Sequence, residues 1–258
     1  MKFAFSKSTQ VTSEWHELFS QFRTVGFEGL QLKSNQYRDY LGEPTRFLDD
    51  WGQYPGVASG LIVGGLLDNA GVAILRETIQ FAAVIGAERI IYWPHTPRGN
   101  AAGTELREFA QLLSGLSVEA QNLGVRLSLH NHYNQIVMTR EDLERFFALV
   151  GDCDIGLTVD TAHLVKSGID DVAGVLQDFH QVIDNIHMKD YAAGTWKVLG
   201  EGDIDFAPIF AAIRQINYDG WVCADEESGS DLRSGMDACY RLLVSGLSTT
   251  CLSSSDAL

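Results

Sequence analysis

The run Ile155-Gly156-Leu157-Thr158-Val159-Asp160-Thr161-Ala162-His163, answered after a helical stretch by Asn185-Ile186-His187-Met188-Lys189-Asp190, decides how the chain is built. Each half is a short, mostly apolar run that stops at residues able to bind a metal or move a proton. The first ends on Asp160, with His163 just beyond; the second ends on His187. Apolar runs of this kind suit strands covered on both faces, as in a parallel sheet. Successive parallel strands point the same way, so their C-terminal ends lie side by side. Asp160 and His187 should converge from neighbouring strands.

The same alternation extends outward. Upstream, Lys2–Ser6, Leu30–Leu32, Val57–Val63, Arg89–Trp93 and Val125–Leu129 read as strands. Between them, Glu14–Val25, Ala73–Ile85 and Glu105–Leu123 carry apolar residues at helical spacing, the last two closed by Gly86 and Gly124. The polar stretch up to Gly56 gives no clear pattern. Thr139 is placed to cap a helix running to Leu149, and Asp205-Phe206 opens another through Ile216. Downstream, Trp221–Ala224 is a strand, and a last helix covers Leu232–Leu243. About eight strand–helix pairs with no linker predict a single (β/α)8 barrel over residues 1–247, with a polar tail over 248–258. An open nucleotide-binding sheet is the competitor, but no GxGxxG or GxxxxGK[ST] stands at a strand–helix junction.

Composition narrows the function. The chain has 258 residues, 45% of them hydrophobic, and 34 acidic against 19 basic residues give a net charge of -15. Such a charge speaks against a nucleic-acid partner, which needs clustered Lys and Arg. Cys153, Cys223, Cys239 and Cys251 show no CxxC spacing, and reduced thiols in a cytoplasmic enzyme are expected. No stretch has the length or apolarity of a membrane span, and Met1–Lys7 turns polar too soon for a signal peptide.

In such a barrel the active site lies at the C-terminal strand ends. Those ends carry Tyr92 and His95, His130 and His132, Asp160 and His163, His187 and Lys189, Asp225 and Glu227. Mixed carboxylate oxygens and imidazole nitrogens suit one divalent ion such as Mn2+, Co2+, Mg2+ or Zn2+. Each residue also has an ordinary role. Asp160 suits a helix N-cap, His187 a buried hydrogen-bonded histidine, and Asp225 and Glu227 a solvated acidic run. Lys189 suits either an anionic oxygen or solvent, and Glu201, between Gly200 and Gly202, either a substrate or a tight turn. Tyr92, Trp93 and Phe5 are expected as an apolar wall of the site, and Gln135 competes with His130 at that mouth.

The chain resembles the sugar phosphate isomerase/epimerase superfamily, with its xylose isomerase-like TIM barrel. The residues that carry the likeness are Gly26-Phe27-Glu28-Gly29, Phe81–Ala87, His130-Asn131-His132, Leu157–His163, His187-Met188-Lys189-Asp190, Leu199–Phe206 and Tyr218-Asp219-Gly220-Trp221. The resemblance implies one divalent metal held by Glu, Asp, His and Glu from four strand ends. Asp160 and His187 match the middle positions, whereas His130 stands at the first and Asp225, with Glu227 two residues on, at the last. It further implies an isomerase or epimerase that abstracts a proton next to a metal-bound carbonyl, through an enediolate. The alternative is a dehydratase or lyase performing β-elimination on a keto-sugar or keto-inositol, as in inosose dehydratase, which also carries a histidine cluster at that strand. The expected ligands are His130, Asp160, His187 and Asp225, and the expected acid–base groups His130, His132, Lys189 and Glu227. Tyr92, His95, His163 and Glu201 are expected to contact an unphosphorylated sugar or polyol. Barrels of this kind often form homo-oligomers.

Overall fold

In the computed structural model, described for residues 1–98, 103–151 and 155–248, strands and helices alternate along the chain. The strands are β1 (Lys2–Lys7), β2 (Gly29–Leu32), β3 (Gly60–Gly65), β4 (Arg89–Pro94), β5 (Arg126–His130), β6 (Ile155–Asp160), β7 (Ile183–Met188), β8 (Asp190–Ala192), β9 (Thr195–Lys197) and β10 (Trp221–Glu226). The helices are α1 (Thr12–Val25), α2 (Pro44–Trp51), α3 (Asn69–Ile85), α4 (Gly103–Gln121), α5 (Arg140–Val150), α6 (Thr161–Lys166), α7 (Val172–Asp178), α8 (Phe206–Gln215) and α9 (Leu232–Leu247). Parallel strands close in the order β1-β10-β7-β6-β5-β4-β3-β2, and β8 and β9 form a separate hairpin. This is the expected (β/α)8 barrel. Residues 99–102 and 249–258, which include Gly99, Cys251 and nearly all of the expected polar tail, lie outside the described residues, as does Cys153.

Helix ends follow local chemistry. Thr139 and Asp142 form a reciprocal capping box at the start of α5. Gly86 ends α3 with φ 77, a conformation that a side chain disfavours. The unreadable stretch before Gly56 contains two 3₁₀ turns, Ser34–Gln36 and Arg38–Tyr40, and then α2. Three-residue turns are too short to leave a periodic signature. The single helix expected between Asp160 and Asn185 is two, α6 and α7, with Asp171 capping the second.

Large apolar side chains, among them Phe5, Phe22, Phe27, Leu113 and Phe146, fill the layer between strands and helices. The lumen of the barrel is different. Gln31 on β2 bonds to Asn185 on β7, and Arg89 on β4 pairs with Asp184 on β7. Neither pair of strands is adjacent, so both contacts cross the lumen. A polar file thus runs through a space that branched apolar residues usually fill. No described helix is long and apolar enough to cross a membrane.

Candidate active site

Register builds the site. Asp160 lies opposite His187, and His130 opposite Thr158, two residues before Asp160. Cys223 lies opposite His187, which puts Asp225 on the same face one step higher. His130, Asp160 and His187 are all buried, and one ligand atom of each lies within 4.8 Å of the others.

The Asp160 carboxylate divides its work. Oδ1 accepts the backbone N–H of His163 at 2.9 Å and so caps α6. Oδ2 lies 3.4 Å from Nε2 of His130 and 4.0 Å from Nδ1 of His187. Both roles read from the sequence, cap and candidate ligand, are therefore present in one side chain. Asn131 fixes the same residue from behind, its Oδ1 accepting the Asp160 N–H at 2.8 Å. His187 Nε2 lies 2.7 Å from Gln31 Oε1, which leaves Nδ1 buried without a hydrogen-bond partner.

These residues fit a divalent cation. In a tetrahedral set with bonds near 2.1 Å, donor atoms sit about 3.4 Å apart, and the His130–Asp160 separation is 3.4 Å. Burial pushes the His187 imidazole down to about 3, with Asp225 opposing, so the ring is neutral and keeps a lone pair. Burial raises the Asp160 carboxyl, but His163, His130 and Lys189 outweigh it and hold the group well below the usual carboxylate range.

Asp225 reaches the cluster on other terms. Its Oδ2 is 3.8 Å from His187 Nδ1, yet Lys33 donates to Oδ1 at 2.6 Å and Lys189 to Oδ2 at 3.0 Å. The same lysines hold Glu227, Lys33 at 2.8 Å. Two ammonium groups and two carboxylates thus form a closed square at the edge of the candidate metal position. Burial opposes the charge on Asp225, but Lys189 and Lys33 hold it far below its ordinary value. Burial also opposes the charge on Lys189, and Asp225, Asp160 and Glu227 more than restore it.

Above the cluster opens a cavity of about 610 Å³ whose lining includes Lys33, Arg38, Trp93, His95, His132 and His163. Aromatic rings build one wall: Trp93 stacks on His132 at 4.5 Å, and His132 meets His163 at 3.8 Å. Outside the lining, Trp196 backs His163 at 5.0 Å. Burial pushes His132 down to about 4, helped by His130, and also holds His163 well below its ordinary value. Trp196 comes from the β8–β9 hairpin, whose turn takes positive φ at Ala193 and Gly194.

Four expected contacts fall elsewhere. Tyr92 turns toward the helices, donating to the Gly65 carbonyl at 2.5 Å and packing near Phe109. Adjacent strand residues face opposite ways, so Trp93 takes the cavity and Tyr92 cannot. Phe5 is likewise on the helix side, against Phe27. Glu201 is exposed and does not line the cavity; its loop is gathered instead by Asp190, which accepts the N–H groups of Gly200 and Gly202, each at 2.9 Å. Gln135 sits in a bridge with Pro97, outside the cavity lining. Conversely, sequence reasoning missed Gln31, Lys33 and Trp196. A lone amide inside an apolar strand and a lysine at its end were the available signals for the first two.

Comparison with known proteins agrees with this architecture. The profile of the family described as "Xylose isomerase-like TIM barrel" matches residues 64–242. The inosose dehydratase of Clostridium perfringens is 29% identical over 142 residues, a match covering 48% of this chain and 48% of that one. The chain thus spans about half the length of the inosose dehydratases it matches. D-allulose 3-epimerase from Methylomonas sp. superposes with a TM-score of 0.79 at 15% identity, covering 96% of this chain and 98% of the other. IOLI protein, solved with a binding zinc atom, superposes with a TM-score of 0.74 at 17% identity, covering 96% and 98%. With the profile matched over most of its length and the barrel closed as the strands require, the chain belongs to the xylose isomerase-like TIM barrel family.

Proposed function

We propose that the protein removes a proton from the carbon next to a ketone in a sugar- or polyol-derived substrate, and that loss of a neighbouring hydroxyl as water completes the reaction. The observation that carries this reading is the pairing of neutral buried imidazoles with charged buried ammonium groups around one cavity. A divalent cation held by His130, Asp160 and His187, with Asp225 as a further donor, supplies electrophilic stabilisation of negative charge developing on the substrate. The zinc in IOLI protein is in keeping with such a cation.

His132 is the candidate base. Its Nδ1 lies 3.1 Å from the Tyr133 carbonyl, which can only accept, so Nε2 carries the lone pair. The ring takes the proton from carbon, and the electron pair moves toward the carbonyl. When that pair returns, the bond to the neighbouring hydroxyl breaks, and the Lys189 ammonium gives the departing oxygen its proton. Hydroxide is so strong a base that an ammonium with a raised pKa still protonates it. Glu227 and Asp225 keep Lys189 charged and in place. The stacked rings of Trp93 and His132 offer a flat face to the substrate ring, and His95 and His163 offer polar contacts.

The likeness to inosose dehydratase favours elimination from a keto-inositol or related keto-sugar. Isomerisation or epimerisation is the second reading, favoured by Glu227, a cavity-lining carboxylate able to return a proton. Elemental analysis and incubation with a keto-inositol and a panel of ketoses in D2O test both. We expect near one equivalent of divalent metal, deuterium entering next to the carbonyl, and an enone signal by NMR. Exchange without an enone selects the second reading. No exchange after Mn2+ or Co2+ is supplied overturns both.

A further inference from the structure

The polar file in the lumen has a direction. It begins near the barrel floor, where Arg89 Nη1 lies 3.2 Å from Asp184 Oδ2; burial raises the Asp184 carboxyl, and this ion pair opposes burial and favours the carboxylate. A carboxylate only accepts, so Ser128 must donate to Asp184 Oδ1, 2.6 Å away. Ser128 has then spent its one proton. Thr158 Oγ1, 2.6 Å from Ser128 Oγ, must donate in turn. Thr158 can now only accept, which turns the Asn185 amide so that Nδ2 faces it at 3.4 Å.

The Asn185 oxygen consequently accepts from Gln31 Nε2 at 2.7 Å, and Gln31 Oε1 accepts from Asn185 Nδ2 at 3.2 Å. Gln31 Oε1 also lies 2.7 Å from His187 Nε2. An amide oxygen cannot donate, so His187 carries its proton on Nε2 and keeps the Nδ1 lone pair. That Nδ1 is the unpartnered buried atom facing Asp160 and Asp225 at 4.0 and 3.8 Å.

We propose that Asp184, through Ser128, Thr158, Asn185 and Gln31, sets the tautomer of His187 and so presents its Nδ1 lone pair to a cation. These are positioning residues; none of the four side chains from Asp184 to Asn185 lines the cavity. Buried polar groups are costly to leave unsatisfied, and from Ser128 up to His187 Nε2 the bonds resolve in a single sense once Asp184 is ionised. With a donor in place of the Asp184 carboxylate the sequence of bonds can reverse, which moves the imidazole proton onto Nδ1 and blocks the atom a metal would use. The inference rests on the metal reading of the site for its consequence, but not for its first test.

That test reads the tautomer directly in metal-free protein labelled with 15N-histidine, where the two ring nitrogens of His187 give separate shifts. The wild-type ring is expected as the Nε2–H form alone. Thr158→Val keeps the side-chain shape and removes the hydroxyl; Ser128→Ala breaks the file one step lower, should the first variant not fold. Near-ultraviolet circular dichroism identifies folded protein. In the folded variant the His187 signals should move toward a mixture of tautomers, and zinc affinity by calorimetry should fall about 10-fold, the range for removing an outer partner of a ligating histidine. Gln31→Glu, which retains an acceptor toward Nε2, should preserve the tautomer where Gln31→Met does not. Wild-type His187 protonated on Nδ1, or a folded Thr158→Val or Ser128→Ala protein with the wild-type tautomer, overturns the proposal. If the shifts move but no metal binds even to the wild type, the metal reading of the site fails while the relay stands.

Discussion

Asp160 and Asp190 are both fully buried acids where apolar barrel strands end, and they do opposite things. Asp190 spends both oxygens on backbone: Oδ1 accepts from Tyr191 at 2.8 Å and Ile204 at 3.4 Å, and Oδ2 accepts from Gly200 and Gly202, each at 2.9 Å. Asp160 gives one oxygen to the N-terminus of α6 and turns the other toward two histidines. An acid whose oxygens are all claimed by the backbone builds a loop; one that keeps an oxygen in reserve beside imidazoles is equipped to hold a cation. Residue type alone does not separate these cases, and the count of claimed oxygens does.

The largest effect should come from Asp160→Ala. Metal affinity should drop by more than about a hundredfold, beyond the cost of losing an outer partner, while the lost cap lowers stability by only about 1 kcal/mol. Retention of stoichiometric metal in the purified variant would remove Asp160 from the ligand set. Asp190→Asn should do the reverse: metal content unchanged, and stability reduced by about 3 kcal/mol from weakened charge-assisted bonds, as read from urea unfolding. A smaller loss, about 1–3 kcal/mol from overpacking, is expected for Gly202→Ala, because an added Cβ would collide with the Asp190 carboxylate. Thermal melting of that variant at wild-type stability would mean that the loop has another way to close. Smallest is Thr139→Ala at the start of α5, about 1 kcal/mol for one cap, and it should leave both acid environments untouched.

The barrel was legible because its strands are apolar runs and its longer helices have periodic faces. The candidate site was legible where a strand ends in an unusual residue: His130, Asp160, His187 and Asp225 all stand at such ends. What escaped has physical causes. Tyr92 and Trp93 are neighbours in β4, and composition does not say which of two adjacent side chains enters the lumen. Glu201 drew notice through its flanking glycines, yet those glycines serve Asp190, eleven residues back along the chain from Glu201. Gln31 and Lys33 acquire meaning only across the lumen, from partners more than 150 residues away. Long-range pairing leaves no local periodicity to detect.

The β8–β9 hairpin gives the molecule an optical property. Trp196 has the Lys166 ammonium 4.5 Å and the Lys189 ammonium 4.7 Å from its ring centre, with His163 at 5.0 Å. An indole beside two positive charges feels a strong local field, and its emission wavelength depends on that field. Any ligand that draws Lys189 toward itself changes the field. The fluorescence of Trp196, isolated by replacing the other tryptophans with phenylalanine, would report in real time when a molecule engages Lys189, before any bond is made or broken.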